Sequence, residues 1–283
     1  MKSILFPTDF SAPAQNAYTY ALNLACALEA TVTTLHVYNK PDVRELELPP
    51  TLQREYDRID IETFENFRTE VPSLRDIARQ VNCDHIEVRH AMKAMVANSN
   101  VHQTIVDFAD EEKVDLIVIG SHENDEVVDT IFGSTTAEVI ENANCPVLAV
   151  PETADNDGRL DKMAMAYNFE PQAPAFVNQL LEYTAPFNGT LEIVHVDHNH
   201  TEEIAHRMDG IKKMFAANER VQFRVLDGDD LTEAFAGYVH ENQIDILTMF
   251  NRKRTFLQEL FHYNKAKEIL KEIDTPVLSL PLR

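Results

Sequence analysis

The chain has 283 residues, 44% of them hydrophobic, and its 47 acidic against 25 basic side chains give a formal net charge of −22. That length predicts about two globular domains, and so acidic a surface repels nucleic acid and anionic lipid. No apolar run is long enough to span a membrane, the stretch before Pro7 is too short for a secretory signal, and three cysteines are too few for a disulfide framework or a Cys-rich zinc site, so the expected compartment is the cytoplasm.

In chain order, Ile4 to Phe6 reads as a short strand. Ser11 then caps a helix whose apolar positions, from Ala14 through Ala17, Tyr18, Ala21, Leu24, Ala25 and Leu28, recur every three or four residues, with Pro13 tolerated in the first turn. A second strand ends in Leu35-His36-Val37-Tyr38. The segment around Asn39 to Cys83 carries Ile59, Phe64, Phe67, Leu74 and Ile77 among many acids, the pattern of a long amphipathic helix with one wet face. A third strand is expected over His85 to Val88, and Cys83, His85 and His90 read as ordinary strand residues. A helix through Val101, Ile105, Phe108 and Ala109 follows, and then a uniformly apolar strand, Leu116 to Ile119, suited to a sheet covered on both faces. A helix through Ala137 and Ile140 and a strand from Val147 to Val150 close the first half.

The second half repeats this plan. Leu35-His36-Val37 meets Val194-His195-Val196 at an offset of 159, and at the same offset Asp9 meets Asn168 and Phe10 meets Phe169. Val114 to Ile119 meets Ile244 to Met249 at an offset of 130, as does Cys145-Pro146-Val147-Leu148 with Thr275-Pro276-Val277-Leu278. A constant offset at each end marks a duplication in which the first copy carries extra residues between its second and third strands. The expected fold is therefore α/β: two tandem doubly wound domains at 1–151 and 159–283, separated by a polar, turn-forming stretch from Pro151 to Gly158 with nothing to bury.

In such a sheet, ligands settle beyond the carboxyl ends of the strands where strand order reverses. Two segments of the first copy are aimed there: Pro7-Thr8-Asp9, and Gly120-Ser121-His122-Glu123 with Gly133-Ser134-Thr135 further on. Gly133-Ser134-Thr135 opens a helix, whose free N–H groups and two hydroxyls would face an anion.

Pro7-Thr8-Asp9-Phe10-Ser11, Leu35-His36-Val37, Ile119-Gly120-Ser121-His122, Gly133-Ser134 and Cys145-Pro146-Val147-Leu148 together make the first copy resemble the universal stress protein family, and the second copy resembles it more faintly. The resemblance implies a five-stranded parallel sheet of order 3-2-1-4-5 in each domain, flanked by helices. It implies an adenine nucleotide site in which Asp9 holds the ribose, Pro7, Thr8 and Val37 line the adenine pocket, and Gly120, Gly133, Ser134 and Thr135 cradle phosphates. It also implies that domains pair through their last strands, here Val147 to Val150 with Val277 to Leu280, leaving other surfaces for a homodimer and for protein partners.

The phosphate loop of the family's ATP-binding branch has a second glycine where this chain has Glu123, and glutamate does poorly where backbone must approach a phosphate or take positive φ. Asp125, Glu126 and Asp129 add negative charge, with no Lys or Arg between Gly120 and Gly133. Two like charges ~4 Å apart repel by ~4 kcal/mol at an effective dielectric of ~20. ATP would therefore need Mg²⁺ between itself and the loop; a nucleoside or monophosphate is the alternative, and a vestigial loop another.

In the second copy Gly120 becomes Phe250, Gly133 becomes Tyr263 and Ser134 becomes Asn264, so family-type nucleotide binding is not expected there. Its loop instead carries Arg252, Lys253 and Arg254, either solvated or docked against acidic surface. His195, Asp197, His198 and His200 lie within six residues, with His206 following; His198 and His200 read as a zinc or nickel pair, or the cluster as structural residues. His36 at the matching position lacks these neighbours, which favours the structural role, and no metal ligands or catalytic residues are assigned.

The expected function is a stress-response regulatory protein acting through nucleotide sensing and protein association. Two alternatives stand beside it: a slow ATPase or autophosphorylating enzyme using Ser134 or Thr135, and an interaction scaffold whose contact face is the acidic helix around Asp57 to Arg79.

Overall fold

The computed structural model describes residues 2–40, 49–95, 99–121, 134–197, 202–228, 231–251 and 274–282. In the first half these form β1 (Ser3–Pro7), α1 (Ala12–Leu28), β2 (Thr31–Tyr38), α2 (Pro50–Gln80), β3 (Val88–Ala94), α3 (Val101–Glu111), β4 (Leu116–Ser121), α4 (Ser134–Asn142) and β5 (Val147–Pro151). The second half contributes β6 (Lys162–Ala166), α5 (Ala173–Thr184), β7 (Thr190–Asp197), α6 (Glu202–Met214), β8 (Val221–Asp227), α7 (Leu231–Asn242), β9 (Ile246–Asn251) and β10 (Val277–Pro281).

The strands make one ten-stranded sheet in the order β3-β2-β1-β4-β5-β10-β9-β6-β7-β8. Each half has the order 3-2-1-4-5 with parallel pairing, and the halves join where β5 and β10 run antiparallel, Leu148 facing Leu278 and Ala149 facing Val277. The last strands thus pair within one chain, and two apolar edges that would template aggregation are covered. Strand residues alternate between two apolar layers that cross both halves. Ile4, Phe6, Leu148 and Leu278 pack under α1 and α5, while Leu5, Ile117, Ala149 and Val277 pack against α3, α4 and α7.

The duplication is visible in individual bonds. Asp115 Oδ2 accepts from the backbone N–H groups of Lys2 (2.7 Å) and Ser3 (3.0 Å), pinning the start of β1. Asp245 Oδ2 accepts from Asp161 (2.7 Å) and Lys162 (2.8 Å), pinning the start of β6 in the same way.

Three local expectations are corrected. The third strand is Val88–Ala94 rather than His85 to Val88: the residues from Cys83 to Glu87 form the turn leading into it, and only His90 of the Cys83, His85, His90 set is on the strand. Its half-buried pattern reflects its place at the sheet edge, which blurs the apolar signal. The stretch after Pro151 is not an idle linker. Asn16 Nδ2 donates to the carbonyls of Pro151 (3.0 Å), Glu152 (3.2 Å) and Ala154 (3.0 Å), Tyr20 donates to the Asp155 carbonyl, and Ala154 and Leu160 are buried. Helix α2 is amphipathic only toward its C-terminus, where Phe67, Leu74 and Ala78 are buried; Phe64 and Ile61 are exposed. Its outer turns carry pairs such as Arg58–Glu62 (2.6 Å) and Arg68–Glu65 (2.7 Å), which support an exposed helix modestly.

Candidate functional site at the carboxyl ends of β1 and β4

Strand order in the first half reverses between β1 and β4, and a cavity of about 320 Å³ opens there. Its floor is the turn from β1 into α1. The Thr8 hydroxyl accepts from Phe10 N–H (3.0 Å), Asp9 Oδ1 accepts from Ser11 N–H (3.0 Å), and Ser11 Oγ accepts from Ala14 N–H (3.4 Å), capping α1. Phe10 takes φ of 66°, which a bulky residue adopts only when its surroundings enforce it. Its ring lies 5.3 Å from that of His36, whose Nδ1 is 3.0 Å from the Thr8 carbonyl. These bonds hold Thr8 and Asp9 at the mouth of α1.

The second wall comes from β4. A Cβ on Gly120 would lie 2.7 Å from the Pro13 carbonyl oxygen and 2.8 Å from its carbon, so only glycine lets the first turn of α1 rest on this strand. Thr136, in the first turn of α4, donates from Oγ1 to the Gly120 carbonyl (3.0 Å), which sets the α4 N-terminus with Ser134 and Thr135 at the cavity's rim. Leu35 and Val37 from β2, Val101 and Ile105 from α3, and Ile119 supply an apolar side. The space is thus apolar at one end and edged by hydroxyls, helix N-termini and one carboxylate at the other. Asp9 is the charged side chain among the described lining residues.

Of the residues singled out from the sequence, Pro7, Thr8, Asp9, Val37, Gly120, Ser134 and Thr135 line this one cavity. Gly133, Glu123, Asp125, Glu126 and Asp129 lie outside the described residues, as do Arg252, Lys253, Arg254, His198, His200, Tyr263 and Asn264. Val101, Ile105 and Thr136 were missed. The two α3 residues read as ordinary core positions, and nothing in one helix's period reveals that part of its apolar face borders a cavity. Leu35 could have been found, since residues two apart on a strand share a face.

A sequence model described as the universal stress protein family matches residues 1–151. The chain belongs to the universal stress protein family. Two universal stress proteins of Methanocaldococcus jannaschii are similar to its first half. One is 26% identical over 156 residues, spanning 53% of this chain and 94% of that protein; the other is 29% identical over 150 residues, spanning 53% and 81%. The solved universal stress protein of Archaeoglobus fulgidus matches across 99% of this chain and 98% of its own, with a TM-score of 0.70 at 17% identity, so the fold is shared over nearly the whole length.

Within this family frame the second half keeps the turn and changes its chemistry. Tyr167 N–H donates to the Val194 carbonyl (2.8 Å) as Thr8 N–H does to that of Leu35 (2.9 Å). His195 Nδ1 lies 2.8 Å from the Tyr167 carbonyl as His36 Nδ1 does from that of Thr8, and Phe169 again has positive φ (62°) against the histidine ring at 4.6 Å. The His36 and His195 rings therefore share one turn-bracing role. Where Ser11 caps α1, the second half has buried Glu170, whose Oε2 accepts from Asn168 N–H (2.9 Å). Phe250 replaces Gly120 and packs edge-on against Phe176 at 5.3 Å, so two aromatic rings stand where strand and helix touch in the first half. Among the described residues no helix is long and apolar enough to cross a membrane, and no group of three or more His, Cys, Asp or Glu side chains could hold a metal ion.

Proposed function

We propose that this chain is a regulatory universal stress protein whose first domain, residues 1–151, binds an adenine nucleotide, while the degenerate second domain, residues 159–283, does not. The observation carrying this reading is the convergence of Pro7, Thr8, Asp9, Val37, Gly120, Ser134 and Thr135 on one cavity at the strand-order reversal. Its apolar side suits a flat heterocycle between Val37, Ile105 and Ile119, and the Asp9 carboxylate suits ribose hydroxyls. The N-termini of α1 and α4, with Ser134 and Thr135, suit phosphate oxygens. A cavity of about 320 Å³ is at the small end of ligand sites, which run roughly 300–1,000 Å³. A nucleoside monophosphate is accordingly the favoured ligand. With Asp9 the charged side chain among the described lining residues, ATP would need Mg²⁺ to offset the charge of its phosphates.

The protein acts by binding and association rather than turnover. Among the described residues lining the cavity, no histidine or lysine accompanies Ser134, an exposed hydroxyl at a helix start, as the base that a nucleophile requires. Association as a homodimer, with protein partners, uses surfaces other than the β5–β10 seam.

Calorimetric titration with AMP, ADP and ATP, with and without Mg²⁺, tests the reading on wild type, Asp9→Asn and Glu123→Gly. Saturable binding that weakens in Asp9→Asn and strengthens for ATP in Glu123→Gly supports it. Absence of binding for every nucleotide to both wild type and Glu123→Gly refutes it. Light scattering of the same samples reads the dimer.

A further inference from the structure

A second chemical cluster lies at the far end of α1, away from the cavity. Cys26 is in the last turn of that helix and half-buried; Cys83 is in the turn between α2 and β3 and is 3% exposed. Cys26 Sγ sits 3.6 Å from His85 Nε2 and 4.0 Å from the carbonyl oxygen of Asn82, the residue before Cys83. Cys83 Sγ is itself 3.5 Å from the Val81 carbonyl oxygen, and both cysteines belong to the same apolar cluster. The backbone of this turn is fixed, with Cys83 N–H donating to the Ala78 carbonyl (2.8 Å). Beside Cys83 an open cavity of about 310 Å³ is edged by Arg75, Arg79 and His90. It opens the Cys83 side of this cluster to small solutes, with Asp84 also in its lining.

We propose that Cys26 and Cys83 form a peroxide-oxidisable pair, with Cys26 the sulfur first oxidised, His85 its base and Cys83 the resolving thiol. The division of labour follows from burial and neighbours. Cys26 is half-buried beside an imidazole nitrogen, whereas burial, reinforced by Cys26 and Asp84 nearby, pushes the Cys83 thiol up to about 12.

His85 takes the Cys26 proton, and the thiolate attacks one oxygen of hydrogen peroxide. A sulfur–oxygen bond forms, the oxygen–oxygen bond breaks, and the departing hydroxide takes a proton to leave as water. Cys83 sulfur then attacks the sulfenic sulfur, losing its own proton. The sulfur–sulfur bond forms as the sulfur–oxygen bond breaks, and the second hydroxide leaves as water. Each sulfur gives up one electron and the peroxide accepts both. Cys26 already lies against the turn that carries Cys83, so closure draws together two neighbouring segments. The product ties the C-terminal end of α1 to the α2–β3 turn.

The test treats the reduced full chain with hydrogen peroxide and reads intact mass, non-reducing peptide maps and dimedone labelling of sulfenic acid. Expected is a monomer-mass product lighter by two hydrogens and a peptide linking Cys26 to Cys83. Cys83→Ser stops at dimedone-labelled Cys26, and Cys26→Ser loses both label and crosslink. His85→Asn slows labelling several-fold near neutral pH and flattens its pH profile, which a merely structural histidine would not do. A disulfide through Cys145, which packs on the opposite face of the sheet, would overturn the proposal. So would a crosslink only between chains, or oxidation of Cys26 to sulfinic acid in wild type without any crosslink. The wild-type map decides the pairing even if Cys83→Ser folds poorly, and Cys26→Ser alters a half-exposed position where folding is preserved.

Discussion

Gly120→Ala is the most direct probe of how the first half holds its cavity open. The added Cβ would meet three backbone atoms of α1: the Pro13 oxygen at 2.7 Å, the Pro13 carbon at 2.8 Å and the Ala14 nitrogen at 3.0 Å. Comfortable contacts of carbon lie at ~3.5 Å or beyond, so the start of α1 must retreat by roughly 0.5 Å or more. None of these atoms belongs to a flexible side chain that could swing aside. Overpacking of this kind costs about 1–3 kcal/mol. For a chain of this length each kcal/mol lowers the melting temperature by roughly 2 °C, so the expected fall is about 2–6 °C. Retreat of Pro13 also pulls on the Thr8–Ser11 turn, whose hydrogen bonds end in Ala14 N–H, and nucleotide affinity should fall at least about tenfold, or ~1.4 kcal/mol. Gly210→Ala is the control. Nothing lies within 4 Å of the new Cβ, and the position is inside α6, so helix propensity alone predicts a gain of about 1 kcal/mol. Thermal melting and calorimetry on both variants check the opposite signs. A Gly120→Ala protein as stable as wild type, with undiminished affinity, would refute the close-approach argument.

Two further outcomes follow from duplicated and buried polar groups. Asp115→Ala and Asp245→Ala each leave two strand-initiating N–H groups without their carboxylate. Each should cost about 2–3 kcal/mol by urea unfolding, whereas Asp245→Asn, which keeps an acceptor and relieves the burial that raises the Asp245 carboxyl, should cost much less. His90, whose Nδ1 lies 2.8 Å from Thr34 Oγ1, has its pKa lowered below 6.5 by burial and, secondarily, by Arg75. The unfolded chain takes up that proton first, so stability is complete above pH 6.5 and is lost as pH falls through the window below it. His90→Asn should reduce that loss in urea midpoints measured on either side of pH 6.5.

The doubled plan of the chain was legible in sequence because periodicity and offset are local or pairwise properties. The alternation of strand and helix, the Ser11 cap and the matching of Val114 to Ile119 with Ile244 to Met249 need no knowledge of packing. The same holds for the position of the cavity, since a doubly wound sheet dictates where its strand order reverses. The third strand was misplaced because an edge strand, half-buried throughout, carries little apolar contrast.

Only tertiary structure decided what individual polar residues do. Asn16, one amide on a helix face, reads as solvated until three carbonyls from residues more than a hundred positions away are seen to converge on it. His195 reads as a metal ligand or a structural residue, with His36 favouring the structural role, and only the fold shows that role: each braces the turn after the first strand of its half. Cys26 and Cys83 stand far apart in sequence, and no spacing rule brings them together. Sequence determines which faces are apolar and where helices can begin, because those follow from neighbours along the chain. Which hydrogen-bonding group meets which is fixed by the closure of the sheet, and that depends on all the strands at once.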